Sequence, residues 1–99
     1  MDLAAFRASL TQDAPPPGLG LPLQALWWDA RSDWDRAHAC AQDDKSAAGS
    51  LIHAYLHRKE GDLGNAGYWY ARARRAMPAG PLEAEWEDLA GELLATPAA

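Results

Sequence analysis

Valine is absent from this 99-residue chain, isoleucine occurs once and threonine twice. Strands draw on β-branched residues to fill their pleated, half-buried surfaces, so a β fold is excluded before any pattern is sought. Cysteine occurs once, at Cys40, and no intrachain disulfide can form. Unbroken apolar runs stay as short as Ala25-Leu26-Trp27-Trp28, far below the roughly 18 residues of a membrane span. The opening residues Met1-Asp2-Leu3 lack the basic start and continuous apolar core of a signal peptide. These absences predict a cytoplasmic protein with no membrane partner. Basic residues are a minority too, nine against fourteen acids for a net charge of −5, which disfavours nucleic acid as a partner.

What is present is alanine, 22 residues, and leucine, 13, in a chain that is 48% apolar. Both head the helix-propensity ranking, so the expected fold class is all-α. A chain of this size buries about two-thirds of its unfolded surface, enough for one modest core in a single domain over 1–99 but not for a large enclosed cofactor cavity.

Helical spacing of Leu3, Phe6 and Leu10 predicts a short first helix, and Pro15-Pro16-Pro17-Gly18, Gly20 and Pro22 then break it, so 1–21 reads as helix and proline-rich loop. Over 22–44, Leu23, Leu26, Trp27 and Ala30 mark one face, Ser32-Asp33 offers a turn or cap, and Trp34, Ala37, His38 and Ala41 continue the pattern. Over 47–78, Leu51, Ile52, Tyr55 and Leu56 form a stripe that Gly61 ends and Asp62 recaps, before Ala66, Trp69, Tyr70, Ala73 and Met77 line the next helix. Pro78, Gly80 and Pro81 precede a final helix over 81–95, faced by Leu82, Trp86, Leu89, Ala90 and Leu93 and followed by a small tail from Thr96. One constant shift superimposes Asp33 on Asp62, Ala37 on Ala66 and Ala25 on Ala54, which suggests an internal repeat of a helical hairpin.

Gly61-Asp62 with Ala66, Tyr70, Ala73 and Pro78 resembles the second half of a tetratricopeptide repeat, and Ser32-Asp33-Trp34-Asp35-Arg36-Ala37 resembles the matching turn of another. Trp69-Tyr70 is similar to Sel1-type repeats, and the run from His53 to Asp62 with Tyr68-Trp69-Tyr70 resembles a group of small uncharacterised bacterial proteins, which implies no activity. The tetratricopeptide likeness covers 22–78. It departs from the family in its short period, in His53 and His57 at positions usually large and apolar, and in Gly64 and Gly67 inside the second helix. It implies two tetratricopeptide-like hairpins plus a carboxy-terminal capping helix. Because fewer than about three repeats rarely suffice, the terminal elements, or a second copy in a homodimer, must cap the stack. It also implies a concave groove in which Leu51, Tyr55, Arg58 and Lys59 hold an acidic peptide segment of an unidentified protein partner. The function expected on this basis is a small non-enzymatic protein-interaction module without a cofactor.

The competing expectation is a metal- or histidine-dependent enzyme. His53 and His57 lie four apart, on one helix face, with Glu60 a turn further on, and a third ligand would have to come from Asp29, Asp33 or His38 on another helix. No HExxH sequence is present, and both histidines also fit as hydrogen-bonded core residues against the following helix. Three histidines and one cysteine lack the compact four-ligand spacing of a structural zinc site, so folding is expected to need no metal. Cys40 and His38 sit about 200° apart on a helix and cannot pair as nucleophile and base. Trp27, Trp34, Trp69 and Trp86 are expected in the core, with Trp28 under the proline loop or at a partner surface. Arg58, Lys59, Arg72, Arg74 and Arg75 should complement Glu83, Glu85, Glu87, Asp88 and Glu92 of the last helix.

Overall fold

The computed structural model describes residues 1–96; the tail beyond Thr96 lies outside the described residues. The elements are α1 (Leu3–Ala8), continued by a 3₁₀ turn (Ser9–Thr11), then α2 (Leu21–Ala30), α3 (Trp34–Asp43), α4 (Ala47–Lys59), α5 (Leu63–Ala73) and α6 (Leu82–Ala95), with no strand among the described residues. The chain is all-α.

The turns from α2 into α3 and from α4 into α5 are built alike. Ser32 (φ 61°) and Gly61 (φ 87°) both take the left-handed backbone, which is costless only for glycine. The next amide returns to the preceding helix, Asp33 N to Trp28 O at 2.9 Å and Asp62 N to His57 O at 3.0 Å. Each aspartate then caps the following helix, Asp33 accepting from Arg36 N at 3.1 Å and Asp62 from Asn65 N at 3.2 Å, which satisfies one of the amides a helix start leaves free. Ala37 and Ala66, one turn on, are fully buried, and their small size lets the paired helices approach.

α4 is the axis of the molecule. It packs against α2, α3, α5 and α6, and every residue from Gly49 to His57 is buried. A stripe of Leu51, Ile52, Tyr55 and Leu56 is therefore only part of what it hides. A helix covered on all sides also buries its polar positions, and those must find partners. The α3–α4 connection is tight: Asp44 Oδ1 accepts from Ser46 N at 2.8 Å, and Ser46 Oγ caps Gly49 N at 3.2 Å. A Cβ on Gly49 would run into the Asp44 carbonyl oxygen, so this position needs glycine for close approach.

The terminal elements close the open side. Phe6 of α1 stacks on Trp86 of α6 at 5.9 Å, and the Trp86 indole donates to Leu26 O at 3.0 Å. Trp27 is fully buried and donates to Ser9 Oγ at 3.1 Å, while Trp28 is half-buried beneath the Arg36 guanidinium, 4.5 Å from its ring. α5 stops at Ala73, short of Met77 and Pro78, because Arg74 turns left-handed (φ 59°, ψ 42°). The extended segment that follows carries Arg75 to Glu92 of α6, a two-pronged pair at 2.8 and 2.9 Å, and leaves Met77 exposed. No helix among the described residues is long and apolar enough to cross a membrane.

Candidate metal centre

His53 and His57 point from α4 toward α3 and α5, and the short Asp44–Ser46 connection brings His38 of α3 against them. One ring nitrogen from each of the three histidines lies within 4.8 Å of the others. His38 Nε2 and His53 Nε2 are 2.9 Å apart, a hydrogen bond in which one ring donates and the other accepts. His53 and His57 stack with centroids 4.8 Å apart, and His38 meets His57 edge-on at 5.3 Å.

Two indoles wall the group. Trp34 lies flat on His38 at 4.8 Å and Trp69 flat on His53 at 4.0 Å. Trp34 is held in place by its N–H, which donates to Leu56 O at 3.1 Å. Neither ring belongs to the fully buried core, where spacing alone had put them; both are half-buried. The amphipathic pattern registers only that one edge of each ring is covered.

His53 is 5% exposed and His57 6%. Burial, reinforced by the neighbouring His38, His57 and Lys45, holds the His53 pKa down at about 4. Burial also lowers that of half-buried His38, with His57 acting the same way and Glu60 and Asp35 opposing. Both rings are thus neutral at pH 7, the form that offers a lone pair. His57 Nδ1 stands 2.7 Å from Glu60 Oε1. A carboxylate can only accept there, so Nδ1–H donates to Glu60 and Nε2 is the ring's acceptor, the outer-partner arrangement typical of metal-binding histidines. Asn65 Nδ2 donates to that Nε2 at 3.3 Å. His57, Glu60 and Asp62 form a second, more exposed set of close donors.

Of the three residues weighed as a third partner for His53 and His57, His38 is the one that arrives. Asp33 caps α3, and Asp29 is buried elsewhere against α4, accepting from Tyr55 Oη at 2.8 Å and Lys59 Nζ at 2.8 Å. Burial, then Asp43, pushes the Cys40 thiol pKa up, and Cys40 has no part in the histidine group.

The four residues assigned to a peptide groove are not brought together on one open surface. Leu51 and Tyr55 are buried. Arg58 pairs with Glu85 at 2.8 Å and donates to Gly80 O, and Glu85 also accepts from Tyr70 Oη at 2.5 Å. Tyr55 and Lys59 line a cleft of about 510 Å³ with Arg7, Leu10 and Trp86. Leu51 borders two smaller ones of about 250 and 190 Å³, and Arg58 lines none of the three. The reason is α6, which lies over this side of α4 and supplies, in Glu85, the carboxylate that a ligand would otherwise have brought to the Arg58 guanidinium. None of these clefts reaches the three imidazoles. Compared with known proteins, the chain matches no family model, no curated protein sequence and no solved structure.

Proposed function

We propose that this protein binds a divalent transition-metal ion, zinc or its neighbours nickel and copper, through His38, His53 and His57, and that the ion ties the α2–α3 hairpin to the α4–α5 hairpin. The convergence of three ring nitrogens from two helices within 4.8 Å carries this reading. Imidazole donors favour these ions over magnesium and calcium, which take oxygen. The Glu60 carboxylate behind His57 and the neutral state of His53 support it further. None of the three clefts described above is lined by these imidazoles, and the reading is ion binding.

Untagged protein stripped with a chelator tests it. Nickel(II) or copper(II) should quench tryptophan emission at one equivalent, since Trp34 and Trp69 lie on two of the ligands. Calorimetry with zinc should give one ion per chain. His38→Ala and His57→Gln should each weaken zinc by more than about 100-fold, given that loss of an outer partner alone costs about 10- to 100-fold. Unchanged affinity in His38→Ala overturns the reading.

A second reading, a protein-interaction module, draws support from the 510 Å³ cleft at Tyr55 and Lys59. Its partner segment would enter between α2, α4 and α6, and Lys59→Ala should weaken that partner while leaving zinc affinity unchanged.

A further inference from the structure

We infer that Asn65 supplies the fourth corner of the histidine site, so that the ion sits in a closed set of His38, His53, His57 and Asn65 with no exchangeable water. The inference rests on the three-histidine reading above and deepens it.

The geometry is the starting point. In a tetrahedral site with bonds of about 2.1 Å, two donor atoms lie about 3.4 Å apart. The Asn65 amide nitrogen stands 3.3 Å from His57 Nε2, already the length of one such edge. Glu60 holds the other nitrogen of that ring, so Nε2 is the ligating atom, and the amide is placed beside it. The Asn65 backbone is fixed, because its N–H donates to the capping Asp62 at the start of α5, and its exposed side chain is free to turn its amide.

Its present role ends when an ion arrives. Once the Nε2 lone pair of His57 is committed to a metal, the Asn65 N–H has lost its acceptor. A half-turn of the amide about Cβ–Cγ exchanges Nδ2 for Oδ1 at the same place and turns a donor into a neutral oxygen ligand. No proton has to leave for that exchange. At the opposite edge, His38 and His53 need only open from 2.9 Å, with the shared N–H moving to Nδ1 of its own ring so that both Nε2 atoms carry lone pairs. The other nearby donors are engaged: Glu60 with the far side of His57, Asp62 with the helix cap.

Cobalt(II) in the full chain tests this, because four-coordinate cobalt absorbs strongly in the visible and higher coordination weakly. Wild type should show the intense spectrum and ignore added azide, which needs an exchangeable position. Asn65→Ala keeps the Asp62 cap, which uses the backbone amide. It should still bind at the three histidines, about 10- to 100-fold more weakly, with a changed spectrum that now responds to azide. Asn65→Asp should restore the closed spectrum. An azide-sensitive wild type, or an Asn65→Ala spectrum identical to it, overturns the assignment of Asn65 while leaving the three histidines in place. Absence of cobalt and zinc binding to wild type, or equal binding in His38→Ala, overturns the three-histidine reading and the fourth corner with it.

Discussion

Asp33 and Asp62 do the same job 29 positions apart, each giving a carboxylate oxygen to a free amide at the start of its helix. Asp62→Ala should cost on the order of 1 kcal/mol in urea unfolding, with a similar loss for Asp33→Ala. His53 makes a different contribution. In the metal-free protein its pKa of about 4 lies below the ordinary 6.5, so between those values the unfolded chain binds a proton that the folded chain refuses. Stability is therefore whole above pH 6.5 and falls as pH drops toward 4, by up to about 3 kcal/mol. Lowered His38 acts in the same direction. Urea melts with a chelator across that range should slope downward into acid for wild type and less so for His53→Gln. Both caps and the His53–His57 spacing are legible in the sequence, since each is a local pattern of three or four residues. That His38, and not Asp29 or Asp33, joins them is not. His38 lies 15 residues from His53 on another helix, and only the packing of α3 on α4 makes them neighbours.

At the scale of elements, α4 decides most of what surrounds it. The opposite charges of the second hairpin and the last helix are visible in the sequence, and the structure resolves them into Arg58–Glu85 and Arg75–Glu92. What the sequence does not display is which side of α4 is covered by α6, and so it leaves Arg58 and Lys59 open both to the acids of the last helix and to a ligand; the structure pairs them with Glu85 and with Asp29 of α2. The two α6 pairs should differ in weight. Glu85→Ala strands the Arg58 guanidinium, whose side chain is 13% exposed, and the buried Tyr70 hydroxyl, and should cost about 3 to 5 kcal/mol. Arg75→Ala opens an exposed pair and should cost less than about 1 kcal/mol; the two variants compared in one urea series check the contrast. Gly49→Ala forces the α3–α4 turn apart at Asp44 and should cost about 1 to 3 kcal/mol. Because that turn sets His38 against α4, the same variant should weaken zinc binding by calorimetry.

For the whole molecule, the all-α class follows from a composition of alanine and leucine without valine, and the helical hairpins follow from turns that proline, glycine and aspartate announce. The site is a product of assembly: α3 brings one histidine, α4 two, α5 a tryptophan and an asparagine, and no single segment carries its signature. The core from Phe6 through Ala90 is built of apolar side chains and none of the three histidines belongs to it, so chelation should leave far-ultraviolet helicity unchanged. Zinc at about 100 times its dissociation constant should add about 2.7 kcal/mol and raise the melting temperature by about 10 to 20 °C. The most direct test is anomalous diffraction at the zinc edge from crystals of the zinc-loaded, untagged protein. The three-histidine site predicts one anomalous peak per chain, about 2.0 to 2.1 Å from the Nε2 atoms of His38, His53 and His57. A peak held by other residues, or none beside these rings, would contradict it.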